Sequence, residues 1–78
     1  MTFSEALDSL KTGQRVARNG WNGKGMFLFH VAAGTFTDGR NDNLPCVPFV
    51  AMKTATNDVA PWQPSQADML ATDWSVTA

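Results

Sequence analysis

The sequence predicts an α+β domain in which an N-terminal helix packs on a mainly antiparallel sheet that also carries a short second helix. Three observations predict this architecture. A capping box with helical apolar spacing opens the chain, short apolar runs of strand length follow, and a second helix N-cap precedes the last of these runs. The 78 residues accommodate a single domain, residues 1–78, with little apolar surface to bury. We therefore expect the domain to be oligomeric, because association would supply stability that so small a core lacks.

The first helix is predicted from its N-cap and its apolar stripe. The Thr2 hydroxyl can accept from the amide of Glu5, and the Glu5 carboxylate can reach back to the N-cap amide. Gly13 is a typical stop signal, since glycine readily adopts the left-handed conformation that ends helices. A helix this short is marginal alone, so we expect it to dock on the sheet. Its apolar residues recur at helical spacing: Phe3, Ala6, Leu7 and Leu10.

Strand character appears in several short runs. Residues 14–18 alternate polar and apolar, which predicts a short strand. Residues 26–31 form an almost unbroken apolar run, which predicts a strand buried on both faces, by the helix on one side and by a second subunit on the other. Residues 33–45 are rich in Gly, Asn, Asp and Thr and are predicted to be a long loop. Residues 47–54 and 59–62 are predicted to pair as a hairpin.

The C-terminal part is predicted to hold a helix and a last strand. Ser65 has the features of an N-cap, and Asp68 places a carboxylate in the first helical turn. A short helix through Leu70 should follow. Residues 73–76 then close the sheet as the final strand.

Composition excludes several classes of protein. Six Lys and Arg against seven Asp and Glu give a net charge of -1, without the basic excess expected of a nucleic-acid-binding protein. The longest apolar stretch, residues 26–33, is far shorter than the ~20 residues of a membrane-spanning helix. Glu5 and Asp8 fall where a signal peptide would be apolar. We therefore expect a soluble, unprocessed, cytoplasmic protein with no membrane partner.

No set of residues predicts catalysis, a metal site or a cofactor. His30 is the only histidine and Cys46 the only cysteine, so a zinc site with three protein ligands is not expected. Cys46 and His30 as nucleophile and base are less favoured than a packed thiol and a structural histidine. Asp38 and Asp42 lie in a polar stretch that would not raise a carboxyl pKa. The sequence predicts that the protein is not an enzyme.

Residues 19–25, here called the tryptophan segment, are the most unusual part of the chain. One interpretation is a binding site in which Trp21 stacks on a base or ribose while Asn22 and Lys24 donate to polar edges or phosphate. The other is an ordinary hairpin turn at Asn22 and Gly23, with Trp21 covering the core. Spacing alone favours the turn, because such turns are common. One large aromatic stands among three glycines in this segment: Gly20, Trp21, Gly23 and Gly25.

A second candidate cluster follows the predicted hairpin. A cation, a hydroxyl and an aromatic ring would lie close together across the turn, on Lys53, Thr54 and Trp62, and all three could contact a nucleotide. An edge strand with a solvated lysine and a partly buried tryptophan explains them equally well. Ser65 and Asp68 are helix-capping residues by default, although the amides there could also receive an anion.

The chain resembles the short, mostly phage-encoded proteins that form the second type of Thoeris anti-defence protein. The likeness covers the chain from end to end in the family's order. Five segments carry it: FSEAL at residues 3–7, VARNGWNGKGMF at 16–27, PFVAMKT at 48–54, VAPWQPSQADML at 59–70 and DW at 73–74.

The resemblance implies a sponge that binds and sequesters cyclic nucleotide immune signals, chiefly cyclised ADP-ribose isomers, with no turnover. Family members are homo-oligomers, typically tetramers, with pockets between subunits, and some also take cyclic dinucleotides at separate sites. The protein would act in the host cytoplasm. Carried over by position, Trp21 would stack on the adenine or a ribose beside Met26, while Asn22 and Lys24 meet polar edges and phosphate. The next candidates match other motif segments: Lys53, Thr54, Trp62, Ser65 and Asp68.

The middle of the chain departs from the family pattern. Residues 33–46 do not follow it, and His30 stands where an aromatic residue is expected, so this part would influence which isomer binds. A different function also remains open, that of a phage structural or protein-interaction module. In that case Trp21, Trp62 and Trp74 would be anchors for subunits or partners.

Overall fold

The structure is a computed structural model, and it describes residues 1–21, 24–37, 39–40 and 43–77, with only the backbone of residues 36 and 37. The predicted α+β class is confirmed. Along the chain, the described residues form α1 Phe3–Lys11, β1 Arg15–Arg18, β2 Phe27–Val31, β3 Gly34–Thr37, β4 Asn43–Cys46, β5 Phe49–Lys53, β6 Val59–Pro61, α2 Gln66–Leu70 and β7 Trp74–Thr77.

Helix α1 begins at the predicted capping box. The Glu5 amide donates to the Thr2 hydroxyl over 3.2 Å, and the Thr2 amide donates to the Glu5 carboxylate over 2.9 Å. The helix ends before Gly13, which has a φ of +92°. Glycine adopts this left-handed conformation without steric cost, because it has no Cβ. Ala6 and Leu10 on its inner face are fully buried.

The main sheet has the strand order β6-β5-β2-β1-β7, and all neighbouring strands are antiparallel. Val16 lies opposite Leu28, and Leu28 lies opposite Met52, so these three side chains point to the same face of the sheet. Strand β7 pairs with β1 so that Arg18 lies opposite Trp74. The last strand therefore returns beside the strand that leads into the tryptophan segment.

The core lies between α1 and one face of this sheet. Trp74 is 2% exposed and is surrounded by other aromatic rings. The centroid of its ring system lies 5.6 Å from that of Phe3, 6.0 Å from that of Trp62 and 5.4 Å from that of Trp21. Such distances are typical of favourable aromatic pairs. The buried residues of the cluster are Ala6, Leu10, Val16, Leu28 and Trp74.

The other face of the sheet carries apolar side chains that are only partly buried. Phe27 and Phe29 lie there, with ring centroids 6.1 Å apart, and both remain partly exposed. Val59, which pairs with Lys53 on the same face, is 66% exposed. Within one chain, α1 buries only the face of β2 that carries Leu28, and burial of the other face by a second subunit stays a prediction.

The predicted loop over residues 33–45 is wrong in part, because β3 and β4 form an antiparallel hairpin there. Gly34 pairs with Cys46 and Thr35 with Pro45, in a two-stranded sheet separate from the main one. The abundance of turn-forming residues concealed strands that are only four residues long. Cys46 is partly buried in β4, whereas Asp38 and Asp42 lie outside the described residues.

Candidate functional site around Trp21

Trp21 lies three residues after the end of β1 and packs against the aromatic core. Its amide donates to the Arg18 carbonyl over 3.3 Å, which turns the chain immediately after the strand. Its ring system meets that of Trp74 edge to face, at an interplanar angle of 80°. The indole remains partly exposed. Asn22 and the turn proposed there with Gly23 lie outside the described residues, so both interpretations of that turn stay predictions.

The chain before Trp21 is attached to Asp73, the residue that precedes β7. The Asn19 amide donates to the Asp73 carbonyl over 3.0 Å, and the Gly20 amide donates to Asp73 Oδ2 over 2.8 Å. A Cβ at position 20 would lie only 3.0 Å from that carboxylate oxygen. Glycine therefore favours this close approach, because any larger residue would push the carboxylate away by a few tenths of an ångström.

One arginine and two aspartates, here called the Arg18 clamp, connect this attachment to α2. Arg18 Nε donates to Asp73 Oδ1 and Arg18 NH1 donates to Asp68 Oδ1, each over 2.9 Å. The guanidinium is only partly exposed, as are both carboxylates. A single planar cation thus joins β1, α2 and the start of β7.

The contacts within the clamp favour the charged forms of its three groups. The hydrogen bond from Arg18 lowers the pKa of Asp73 below its ordinary value. Burial raises the pKa of Asp68, but hydrogen bonds from Ser65, Arg18 and the Trp21 side chain outweigh it, and the net shift is downward. The hydrogen bond with Asp73 in turn raises the pKa of Arg18. All three groups are therefore charged when the protein is folded.

Ser65 and Asp68 form the N-cap of α2, as predicted. The Asp68 amide donates to the Ser65 hydroxyl over 3.1 Å, and the Ser65 amide donates to Asp68 Oδ2 over 3.0 Å. Trp74 Nε1 also donates to the Asp68 carbonyl over 3.0 Å. Three of the predicted site residues, Trp21, Trp62 and Asp68, are thus brought together around the buried Trp74.

The chain that follows residues 22 and 23 is attached to β5. Lys53 Nζ donates to the Gly25 carbonyl over 2.9 Å, and Gly25 has a φ of +74°, which favours glycine. Lys24 beside it is exposed, and Met26 is partly buried. Lys53 is therefore held against the end of the tryptophan segment rather than solvated on an edge strand, since β5 lies between β6 and β2.

The predicted proximity of Lys53, Thr54 and Trp62 is wrong. Trp62 packs on the α1 side of the sheet against Trp74, whereas Lys53 Nζ lies 5.6 Å from the centroid of Phe27 on the other side. Thr54 instead closes the β5–β6 turn, where its hydroxyl accepts from the Asp58 amide over 3.2 Å. Strand alternation places the lysine and the tryptophan on opposite faces.

A surface concavity of about 430 Å³ lies on the face of the sheet that α1 leaves uncovered. The Arg15 guanidinium stands 4.5 Å from the centroid of Phe27, within the range of a cation–π contact. Because Arg15 and Lys53 already stand near this ring, it is less available for stacking than the Trp21 indole. The concavity is lined by Gly13, Arg15, Phe27, Phe29, His30, Lys53 and Val59.

Sequence reasoning included Gly20 in the tryptophan segment but missed Arg18 and Asp73 as parts of the site. Arg18 and Asp73 are 55 positions apart, and only the pairing of β1 with β7 brings them together. The available signal was their position. Arg18 precedes the tryptophan segment in a strand, and Asp73 directly precedes an aromatic strand.

The part of the chain that the structure describes contains no group of three or more His, Cys, Asp or Glu side chains arranged to hold a metal ion. Among the same residues, no helix is long and apolar enough to cross a membrane.

Comparison with known proteins gives two matches. Residues 1–77 match the family model of the Thoeris anti-defense 2-like domain. The chain is also 42% identical, over an alignment of 85 residues, to the protein named Thoeris anti-defense 2 from Bacillus phage SP01. That alignment covers 100% of this chain and 96% of the relative, so the similarity extends to the whole fold.

Proposed function

The chain belongs to the Thoeris anti-defense 2-like family, which supports a phage anti-defence role, and we propose that it performs this role as a sponge. It binds and sequesters cyclic nucleotide immune signals, chiefly cyclised ADP-ribose, and does not cleave them. It works in the host cytoplasm without a cofactor. A site for such a ligand must recognise an aromatic base, ribose hydroxyls and phosphate.

The observation that carries this proposal is the supported but partly exposed indole of Trp21. Its ring is held edge to face against Trp74, and the attachments of Gly20 and Gly25 hold the chain on both sides of it. An aromatic platform of this kind stacks on a base at a gain of about 1–3 kcal/mol. Trp62, on the same side of the sheet, offers a second aromatic surface.

Polar groups for the rest of the ligand come from the tryptophan segment and from the other motif segments. Asn22 and the exposed Lys24 meet phosphate, and Lys53, which uses one of its three donors on the Gly25 carbonyl, has two left for the ligand. Met26 packs nearby. The remaining candidates from the motif segments are Thr54, Ser65 and Asp68, whose oxygens are acceptors for ribose hydroxyls.

The sponge is a homo-oligomer, a tetramer by the family resemblance, with pockets between subunits. The partly exposed Phe27 and Phe29 and the exposed Val59 support this, because they give the sheet an apolar face that α1 does not cover. The exposed Leu44 on the β3–β4 hairpin supports it too. Burial of such surface would supply stability that a 78-residue core lacks.

A recovery experiment tests sequestration against catalysis. The protein is incubated with a cyclised ADP-ribose, separated from free ligand, heated to denature it, and the released compound is identified by mass spectrometry. We expect the intact cyclic compound, in an amount that does not exceed the number of sites. A cleaved product that accumulates with time would contradict the proposal and indicate a hydrolase.

A further inference from the structure

The tryptophan segment is attached at its start to groups that lie far away in the sequence. Asp73 accepts from the Gly20 amide through one carboxylate oxygen and from Arg18 Nε through the other, over 2.8 and 2.9 Å. Arg18 reaches with a second nitrogen to Asp68, which caps α2 and whose carbonyl accepts from Nε1 of Trp74, the ring on which Trp21 packs. The clamp is therefore connected through Asp73 to the backbone that leads into Trp21, and through Asp68 to the ring that supports the indole.

The chemistry of the clamp requires an arginine and a carboxylate. The planar guanidinium directs two donors at two carboxylates at once, which the single ammonium of lysine cannot reproduce in the same geometry. Asp73 accepts from a different donor on each oxygen. An asparagine there has one acceptor and one donor, so it would lose either the Gly20 bond or the Arg18 bond, whichever way its amide turned.

We propose that Arg18 is a positioning residue, which acts through Asp73 and Asp68 to hold Trp21 in the orientation that stacks on the base of the ligand. This inference rests on the proposed function and assigns a role that the sequence motifs do not reveal. The clamp holds the indole in place before the ligand arrives, so that binding does not have to order it. Loss of the clamp leaves the stacking surface present but poorly oriented.

The test compares Asp73→Asn with the matched control Asp8→Asn, which alters an exposed carboxylate on α1. Affinity for a cyclised ADP-ribose is measured by calorimetry, and melting temperature is measured in parallel. We expect Asp73→Asn to weaken binding about tenfold, the size expected for loss of a charge-assisted hydrogen bond that orders a site. The control should bind as the unchanged protein does.

A spectroscopic measurement separates positioning from general stability. The protein is labelled with 5-fluorotryptophan, and the fluorine resonance of Trp21 is assigned as the one that Trp21→Phe removes. We expect Asp73→Asn to shift or broaden this resonance in the free protein. Combined with Trp21→Ala, Asp73→Asn should cause no further loss of affinity, because the clamp acts through that ring.

Gly20→Ala provides a second variant in case Asp73→Asn does not fold. The added Cβ would lie 3.0 Å from Asp73 Oδ2 and push the carboxylate away by a few tenths of an ångström, with no core side chain within 4 Å of it. It should weaken binding and move the same resonance. Unchanged affinity, or an unmoved Trp21 resonance, in a folded variant would overturn the positioning role. If the unchanged protein bound no ligand, the proposed function would fail, while the resonance would still decide whether the clamp orients Trp21.

Discussion

Replacement of Trp21 by alanine separates the two interpretations of the tryptophan segment. If Trp21 is a stacking platform, Trp21→Ala should abolish most of the affinity for a cyclised ADP-ribose while the fold and the oligomer survive. If Trp21 is only a structural anchor for subunits, as in a phage structural or protein-interaction module, the same change should break the assembly.

The expected magnitudes follow from the position of the ring. Truncation of a fully buried tryptophan costs about 3–5 kcal/mol of unfolding free energy, and because Trp21 stays partly exposed we expect about 2–4 kcal/mol. Loss of base stacking removes about 1–3 kcal/mol of binding free energy, which weakens binding about 5- to 150-fold. A domain of this length has a total stability of about 4–12 kcal/mol, which exceeds the expected loss over most of that range, so folded protein should remain under native conditions.

Leu7→Ala is the matched control. Leu7 is a partly buried residue of α1 that packs against the same core, and its truncation should cost a similar unfolding free energy, about 2–4 kcal/mol. Both variants are compared by urea unfolding, gel filtration and calorimetry. Equal losses of affinity in the two variants, or dissociation of the oligomer by Trp21→Ala alone, would refute the platform interpretation.

Three further predictions concern stability. Leu28→Ala should lower the unfolding free energy by about 2–5 kcal/mol in urea unfolding, because Leu28 is fully buried and its loss leaves a cavity; a change below 1 kcal/mol would be inconsistent with the core described. The pKa of Asp73 is lower in the folded chain than its ordinary 3.8, so its ion pair stabilises the fold above that pH and this stabilisation is lost as the pH falls through the lowered pKa. In acid titration, Asp73→Asn should therefore lose less unfolding free energy than the unchanged protein does. Gly25→Ala should lower the unfolding free energy by about 1–2 kcal/mol, because φ is +74° and the new Cβ lies 3.3 Å from Lys53 Nζ, whereas Gly34→Ala, with open space around its Cβ, should cost less.

The elements with strong local signals could be predicted from the sequence. The Thr2 and Ser65 capping boxes define the starts of both helices, and the apolar run at 26–31 predicts the central strand. Such signals come from neighbours a few positions apart. The β3–β4 hairpin escaped prediction because its four-residue strands are surrounded by turn-forming residues.

The site was less predictable because it depends on strand register. Trp21 and Asp68 were identified by resemblance, but Arg18 meets Asp73 only because β7 returns beside β1. The error over Lys53 and Trp62 has the same origin. Lys53 lies opposite Val59 and shares its face of the sheet, whereas Trp62, three residues after Val59, lies on the other face. Only the register of the β5–β6 hairpin reveals this.

Calorimetry against a panel of cyclic nucleotides tests the central claim most directly. The panel comprises cyclised ADP-ribose isomers and cyclic dinucleotides, with linear ADP-ribose as the control for the closed ring. We predict saturable heat with at least one cyclised ADP-ribose isomer, and its loss or strong reduction in Trp21→Ala. The absence of heat with every member of the panel would contradict the proposal that this protein is a nucleotide sponge.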